Sequence, residues 1–357
     1  MRMEQALALL RLARSEGIGP VHHRRLIQRH GGPEAALEAL GPRAWARDAA
    51  LREMEALERM GARLLFHGHS GYPALLALIE DAPLVLAAQG SLDALEPRGV
   101  ALVGARNASA TGRRFAEELA DALAVRGICV ISGLARGIDT AAHEGALRSG
   151  TTIAAIAGGL DQPYPRENAG LQKRIAAEGG LVLSEAPLGT APLARHFPRR
   201  NRIVAGLSHG VVVLEAALQS GTLITARLAA EAGRELFAVP GSPVDPRSRG
   251  ANDLIRRGAH LTETVEDILQ NLPEDIVERP ALRLPLLADL PAEPVRQTPP
   301  PSDQGAQVLE MMGSVPIPVD ELGRRCQLSP PKLSEILLEL ELSGRIETLP
   351  GNRVALA

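Results

Sequence analysis

The chain has 357 residues, 45% of them hydrophobic and 23% charged, with a net charge of −3, a composition that fits a soluble protein of two or three domains. So small a net charge excludes a protein that coats nucleic acid by bulk charge, and 2% aromatics exclude extended base-stacking platforms. With no secretory-signal pattern, no long charge-free apolar run, and two cysteines (Cys129 and Cys326) without metal-ligand spacing, we expect a cytoplasmic protein with no membrane segment, metal or cofactor.

Residues 1 to about 90 have a helical pattern rich in Arg, Glu, Ala and Leu. One helix is expected over Gln5–Ser15, ending at Gly17-Ile18-Gly19-Pro20, and a second over His22–Arg29, stopped by Gly31-Gly32-Pro33. From residue 91 to about 270 short apolar runs alternate with amphipathic helices. Strands are expected at Val100–Val103, Ile128–Ser132, Thr152–Ala157, Leu181–Glu185, Gly210–Leu214 and Leu236–Val239, with helices such as Arg113–Arg126 and Asp139–Ser149 between them. Strand and helix alternating at this spacing predict an α/β domain, a Rossmann-like doubly wound parallel sheet with both faces covered. Residues 271–302 are proline-rich and read as a semi-extended linker. Residues 303–357 read as helices at Gln304–Met312, Val319–Arg325 and Pro331–Leu342 followed by strands at Arg345–Leu349 and Arg353–Leu356, the order of a winged helix. Its third helix carries Lys332 among Glu335, Glu339 and Glu341, which would repel phosphates, so a protein-contact role is expected there, with Leu333, Ile336, Leu337 and Leu340 in its core.

In open parallel sheets ligands bind beyond the carboxyl ends of the strands. Four loops there stand out: one opens with Gly104 and carries Arg106, one runs from Ser132 and Gly133 through Arg136 and Gly137 to Asp139, one runs from Gly158 and Gly159 through Asp161 to Tyr164 and Pro165, and one holds Ser220, Gly221 and Thr222. Glycine lets backbone amides approach an anion, and the helix that follows adds unpaired donors. The densest positive charge is Arg195-His196-Phe197-Pro198-Arg199-Arg200-Asn201-Arg202. Its guanidinium groups suit phosphate oxygens and Phe197 offers one face to a base, whereas a solvated loop pairing with local acids is the bland alternative. No glycine fingerprint of a dinucleotide fold follows the first strand. No serine lies in a nucleophile elbow, and His143 reads as a surface or capping residue. Asp139, Asp161, Glu185 and Glu215 fall at strand ends, where capping and arginine pairing are expected before catalysis.

Over residues 98–265 these strings resemble the DNA-processing protein family known as DprA or Smf. The resemblance rests on Val103-Gly104-Ala105-Arg106, Ser132-Gly133-Leu134-Ala135-Arg136-Gly137-Ile138-Asp139, Gly158-Gly159-Leu160-Asp161 with Tyr164-Pro165, and Phe197-Pro198-Arg199-Arg200-Asn201-Arg202, and it continues through Ser220-Gly221-Thr222 to Phe237-Ala238-Val239-Pro240-Gly241. It implies a Rossmann-like core that binds single-stranded DNA without sequence preference. It also implies interaction with RecA in natural transformation, a homodimer, and an N-terminal helical domain of the sterile-alpha-motif or helix-hairpin-helix kind. The family's phosphate-contacting arginine falls on Arg106 and its basic Phe-Pro segment on Arg195 to Arg202. The resemblance makes the chain a DNA mediator with no covalent chemistry. The competing reading is a nucleotide hydrolase like the lysine-decarboxylase-like phosphoribohydrolases, against which the segment Glu215 to Thr222 lacks the expected glycine pair.

Overall fold

Nine strands of the first unit join one sheet: β1 (Ala62–Phe66), β2 (Val85–Gly90), β3 (Gly99–Val103), β4 (Cys129–Ser132), β5 (Thr152–Ile156), β6 (Leu181–Ser184), β7 (Gly210–Val213), β8 (Glu235–Ala238) and β9 (His260–Leu261). They belong to a computed structural model that describes residues 1–273 and, further along, residues 308, 317–326, 328, 333, 336, 337, 340, 346–349 and 353–356. The chain divides into two units, Met1–Ala288 and Asp289–Ala357. The strand order is β1-β2-β6-β5-β4-β3-β7-β8-β9. Every pairing from β6 to β9 is parallel; β1 and β2 are antiparallel to each other, and β2 is antiparallel to β6.

The six expected strands of the parallel core are all present, each displaced by no more than a residue or two at its ends. Val, Ile, Leu and Ala crowd them because helices cover both faces. On one face Ile203, Val204 and Leu207 of the helix His196–Leu207 pack with Ala226 and Ala229 of the helix Gly221–Glu231. On the other, Ala116, Leu119 and Leu123 of the helix Ala110–Val125 pack with Ile138, Ala141 and Ala142 of the helix Ile138–Ala146.

The helical reading of residues 1–90 needs correction beyond Gly61. The helices Met3–Arg14, Pro20–His30, Pro33–Leu40 and Arg47–Arg59 form there, and Leu7, Leu10, Ala36 and Ala50 make their common core. Residues 62–90, however, give two strands to the main sheet. Their sequences, Ala-Arg-Leu-Leu-Phe and Val-Leu-Ala-Ala-Gln-Gly, are rich in Ala and Leu, which favour helices in isolation, and pairing against β6 overrides that preference. The basic stretch, weighed above as a solvated loop, is instead helical: a single helix runs from His196 to Leu207.

In the second unit a three-stranded sheet has the order β10-β12-β11, with β10 at Ile317–Pro318, β11 at Ile346–Leu349 and β12 at Arg353–Leu356. The helix Val319–Cys326 follows β10, and Leu322, Cys326, Leu333, Ile336, Leu337 and Leu340 are buried with Val354. Residues 274–302 of the expected linker, most of the helices expected at 304–312 and 331–342, and Lys332, Glu335, Glu339 and Glu341 lie outside the described residues.

Candidate nucleic-acid interface

The chain steps outward from β3 through β4 and β5 to β6, then returns to lay β7 on the other side of β3. Where the direction reverses, the loops after β3 and β7 diverge and a crevice opens beyond the carboxyl ends. A cleft of about 650 Å³ occupies this place. Of the residues expected to bind, it gathers Gly104, Arg106, Gly133, Phe197, Arg200, Asn201, Ser220, Gly221 and Thr222. Ser132, Arg136, Gly137, Arg195, Arg199 and Arg202 do not line it.

Four of these six have identifiable work elsewhere. The Ser132 hydroxyl is fully buried and donates to the Leu102 carbonyl at 2.6 Å, tying β4 to β3. Gly137 has φ +78°, and a Cβ on it would fall 2.3 Å from the Ala105 oxygen and 2.6 Å from the Arg106 oxygen. Its lack of a side chain lets the β4 loop press against the turn that presents Arg106. Arg136 is exposed and paired with Glu167. The Arg202 side chain is 7% exposed, with its guanidinium held by Glu185 at 2.6 Å and Asp81 at 3.3 Å. The helix explains the split: Arg200, Ile203, Val204 and Leu207 share its inward face, and Arg195 and Arg199 are exposed. Neither Arg195 nor Arg199 has a carboxylate partner among the described residues.

Arg106 is exposed and sets its guanidinium carbon 4.5 Å from the centre of the Phe197 ring. Tyr164, 46% exposed, meets the same ring edge-on at 5.5 Å. The cation and the two rings fix one another. Phe197 is therefore half-buried between partners rather than a bare platform.

Two of these loops already hold an anion of the protein's own. Asp139 is 6% exposed and accepts hydrogen bonds from the Gly133 and Ala135 amides at 3.1 and 3.3 Å. Burial raises the Asp139 carboxyl while the nearby Arg200 opposes that shift, and burial lowers Arg200 while Asp139 opposes it. We take the pair as charged, because each group is the other's counter-ion and two loop amides stabilise the carboxylate. A Cβ on Gly133 would stand 1.6 Å from the Arg200 Nη1, so that glycine admits the guanidinium rather than a phosphate. At the first loop Glu215 takes the Ser109 amide at 2.9 Å and also the Ser109 hydroxyl, filling the start of the helix Ala110–Val125. The helix Gly221–Glu231 begins in the cleft with no carboxylate on it. Its N-cap Ser220 serves the Thr222 amide, and a Cβ at Gly221 would meet nothing within 4 Å. An incoming anion finds free donors here and on Arg106.

Tyr164, which meets Phe197, and Arg247 are among the residues that escaped the expected set. Tyr164 follows β5, and its position beyond a strand's carboxyl end was the available signal. Arg247 lines the cleft from the loop after β8, with part of its charge spent on Asp245 at 2.8 Å. His143, expected at the surface, is fully buried and bonded to Thr152 at 2.7 Å. Among the described residues no helix is long and apolar enough to cross a membrane.

The sequence model of the family described as DNA recombination-mediator protein A matches residues 63–273. A DprA-like N-terminal HHH domain matches residues 3–63 and a DprA winged helix domain matches residues 291–352. Protein Smf of Escherichia coli is 41% identical over 306 residues, covering 84% of this chain and 79% of the relative. The X-ray structure of DNA processing protein A from Streptococcus pneumoniae superposes with a TM-score of 0.67 at 34% identity, over 75% of this chain and 99% of the other. DNA processing protein A of Helicobacter pylori, whose structure is described by its single-stranded DNA binding mode, superposes with a TM-score of 0.53 at 32% identity, over 59% of this chain and 95% of the other.

Proposed function

Because the chain belongs to the DNA recombination-mediator protein A family, we propose that its cleft holds single-stranded DNA without sequence preference and that the protein passes the strand to RecA. The observation that carries this reading is the meeting of Arg106, stacked on Phe197, with the open start of the helix Gly221–Glu231 at the switch of strand order. Guanidinium and helix amides take phosphate oxygens, which every sequence offers alike. Exposed Arg195 and Arg199 extend the charge along the first turn of the helix His196–Leu207. The protein acts by binding, in the cytoplasm, as a homodimer, and performs no covalent chemistry.

A salt series with an oligothymidine tests the reading. Each phosphate contact contributes about −0.7 to the slope of log affinity against log salt for single strands. Arg106, Arg195 and Arg199 together give a slope of about −2, and Arg106→Ala lowers its magnitude by about 0.7 with affinity falling roughly tenfold. Equal affinity for duplex and single strand, or an unchanged slope in Arg106→Ala, would refute the proposal.

A further inference from the structure

A second cavity, of about 200 Å³, adjoins the cleft. The first turn of the helix His196–Leu207 separates the two, and Arg200 lines both. The N-terminal unit closes the far wall with Ile18 and His23, Ile156 and Ile203 are among its apolar surface, and Thr190, exposed Arg199 and Glu185, itself paired with Arg202, are among its polar lining.

Two polar side chains in this wall are buried without full partners. His23 is 3% exposed, and beyond a contact with the Leu12 carbonyl its ring nitrogens have no hydrogen-bond partner. Arg200 is 6% exposed, donates from Nη1 to the Ala155 oxygen at 2.8 Å and leaves Nε unpartnered. An unpartnered buried polar group is costly, and two on one small cavity mark a place where a ligand supplies the missing partners. Burial also holds His23 neutral, its pKa lowered to about 4, so its ring offers one donor and one acceptor to a polar edge. Arg14 lines the cavity too but is committed, to Glu53 at 2.8 Å and to the Glu185 carbonyl at 2.6 Å. The available cation is Arg199.

We propose that this cavity seats one unstacked nucleotide, its base between Ile156 and Ile203 with an edge on His23 and its phosphate on Arg199. The nucleotide comes either from the strand in the neighbouring cleft or as a free nucleoside monophosphate. The strand source rests on the function proposed above. Shared lining by Arg200 places successive nucleotides of one strand within reach of both sites, and it gives the N-terminal helices a part in recognition.

The experiment uses the full chain, with His23→Leu removing the polar edge and Thr190→Trp narrowing the cavity. Binding is measured for a ten-residue oligothymidine, an abasic oligomer of equal length, and thymidine monophosphate. Expected for the strand source is about tenfold weaker oligothymidine binding in both variants, the loss of one good hydrogen-bonded contact, with abasic binding unchanged. Expected for the free source is loss of monophosphate binding in both. In unaltered protein the His23 ring proton resonances shift on adding the corresponding ligand, a readout that survives a misfolded variant. Unshifted resonances together with wild-type binding of all three probes by the folded variants overturn the cavity proposal. If oligomers bind and only Arg106→Ala weakens them, the cavity proposal fails alone. If no oligomer binds yet the monophosphate binds through His23, the strand reading fails and the cavity stands.

Discussion

Arg106 and Arg202 present the same guanidinium in opposite circumstances. The first is exposed over an aromatic ring; the second is 7% exposed between two carboxylates, with one Nη unpartnered. Removing one side of a buried ion pair leaves the other uncompensated, at about 3–5 kcal/mol. Because Asp81 is half exposed and Glu185 is 21% exposed, Arg202→Ala should cost toward the low end of that range in urea unfolding, whereas Arg106→Ala should leave the midpoint unmoved. Equal midpoints for the two variants would show that Arg202 is not a structural residue. The arginine cluster was legible in the sequence as composition but not as geometry. Counting guanidinium groups treats Arg199, Arg200 and Arg202 alike; a helix turns by about 100° per residue and separates them. The spacing of Arg200, Ile203, Val204 and Leu207, all on one face, was the signal that Arg200 points inward.

At the scale of elements, the helix Ile138–Ala146 is fastened to the sheet by polar groups as well as apolar ones. Thr152 donates its hydroxyl to the Val130 carbonyl at 2.6 Å, so it can only accept from His143, whose Nδ1 therefore carries the ring proton. Complete burial pushes the His143 pKa down to about 3, with Arg200 adding to the shift, and burial lowers His23 to about 4. Both histidines stay neutral when folded and take up a proton when unfolded, near pH 6.5. Their contribution is thus complete above that value and falls by about 1.4 kcal/mol per pH unit for each as the solution is acidified toward pH 4. Chemical unfolding at pH 7 and pH 5 measures it, and equal stability at the two values would rule it out. The parallel strands and their helices were readable because covered strands are apolar throughout and glycines mark helix ends. Capping and arginine pairing, the roles expected of Asp139 and Glu215, are those found, but which loop amides they take was not readable. Their amide partners come from turns whose closure depends on neighbouring strands.

Across the whole molecule, composition divides the chain near residue 90, where Ala- and Leu-rich helices give way to alternating strands. The sheet does not divide there. β2 pairs with β6 from Ala87 opposite Ser184 to Gly90 opposite Leu181, and the β6 residues Leu181, Val182, Leu183 and Ser184 are fully buried. A fragment begun at residue 91 strips that neighbour away and uncovers a row of backbone donors and acceptors flanked by apolar side chains. Such a margin is a template for pairing with other chains. On a sizing column residues 91–273 should run as a broad, concentration-dependent smear while residues 1–273 run as one sharp species; a sharp profile for the shorter piece would mean that β6 tolerates an open side. Cutting the molecule at its compositional seam would turn an internal strand into an adhesive rim.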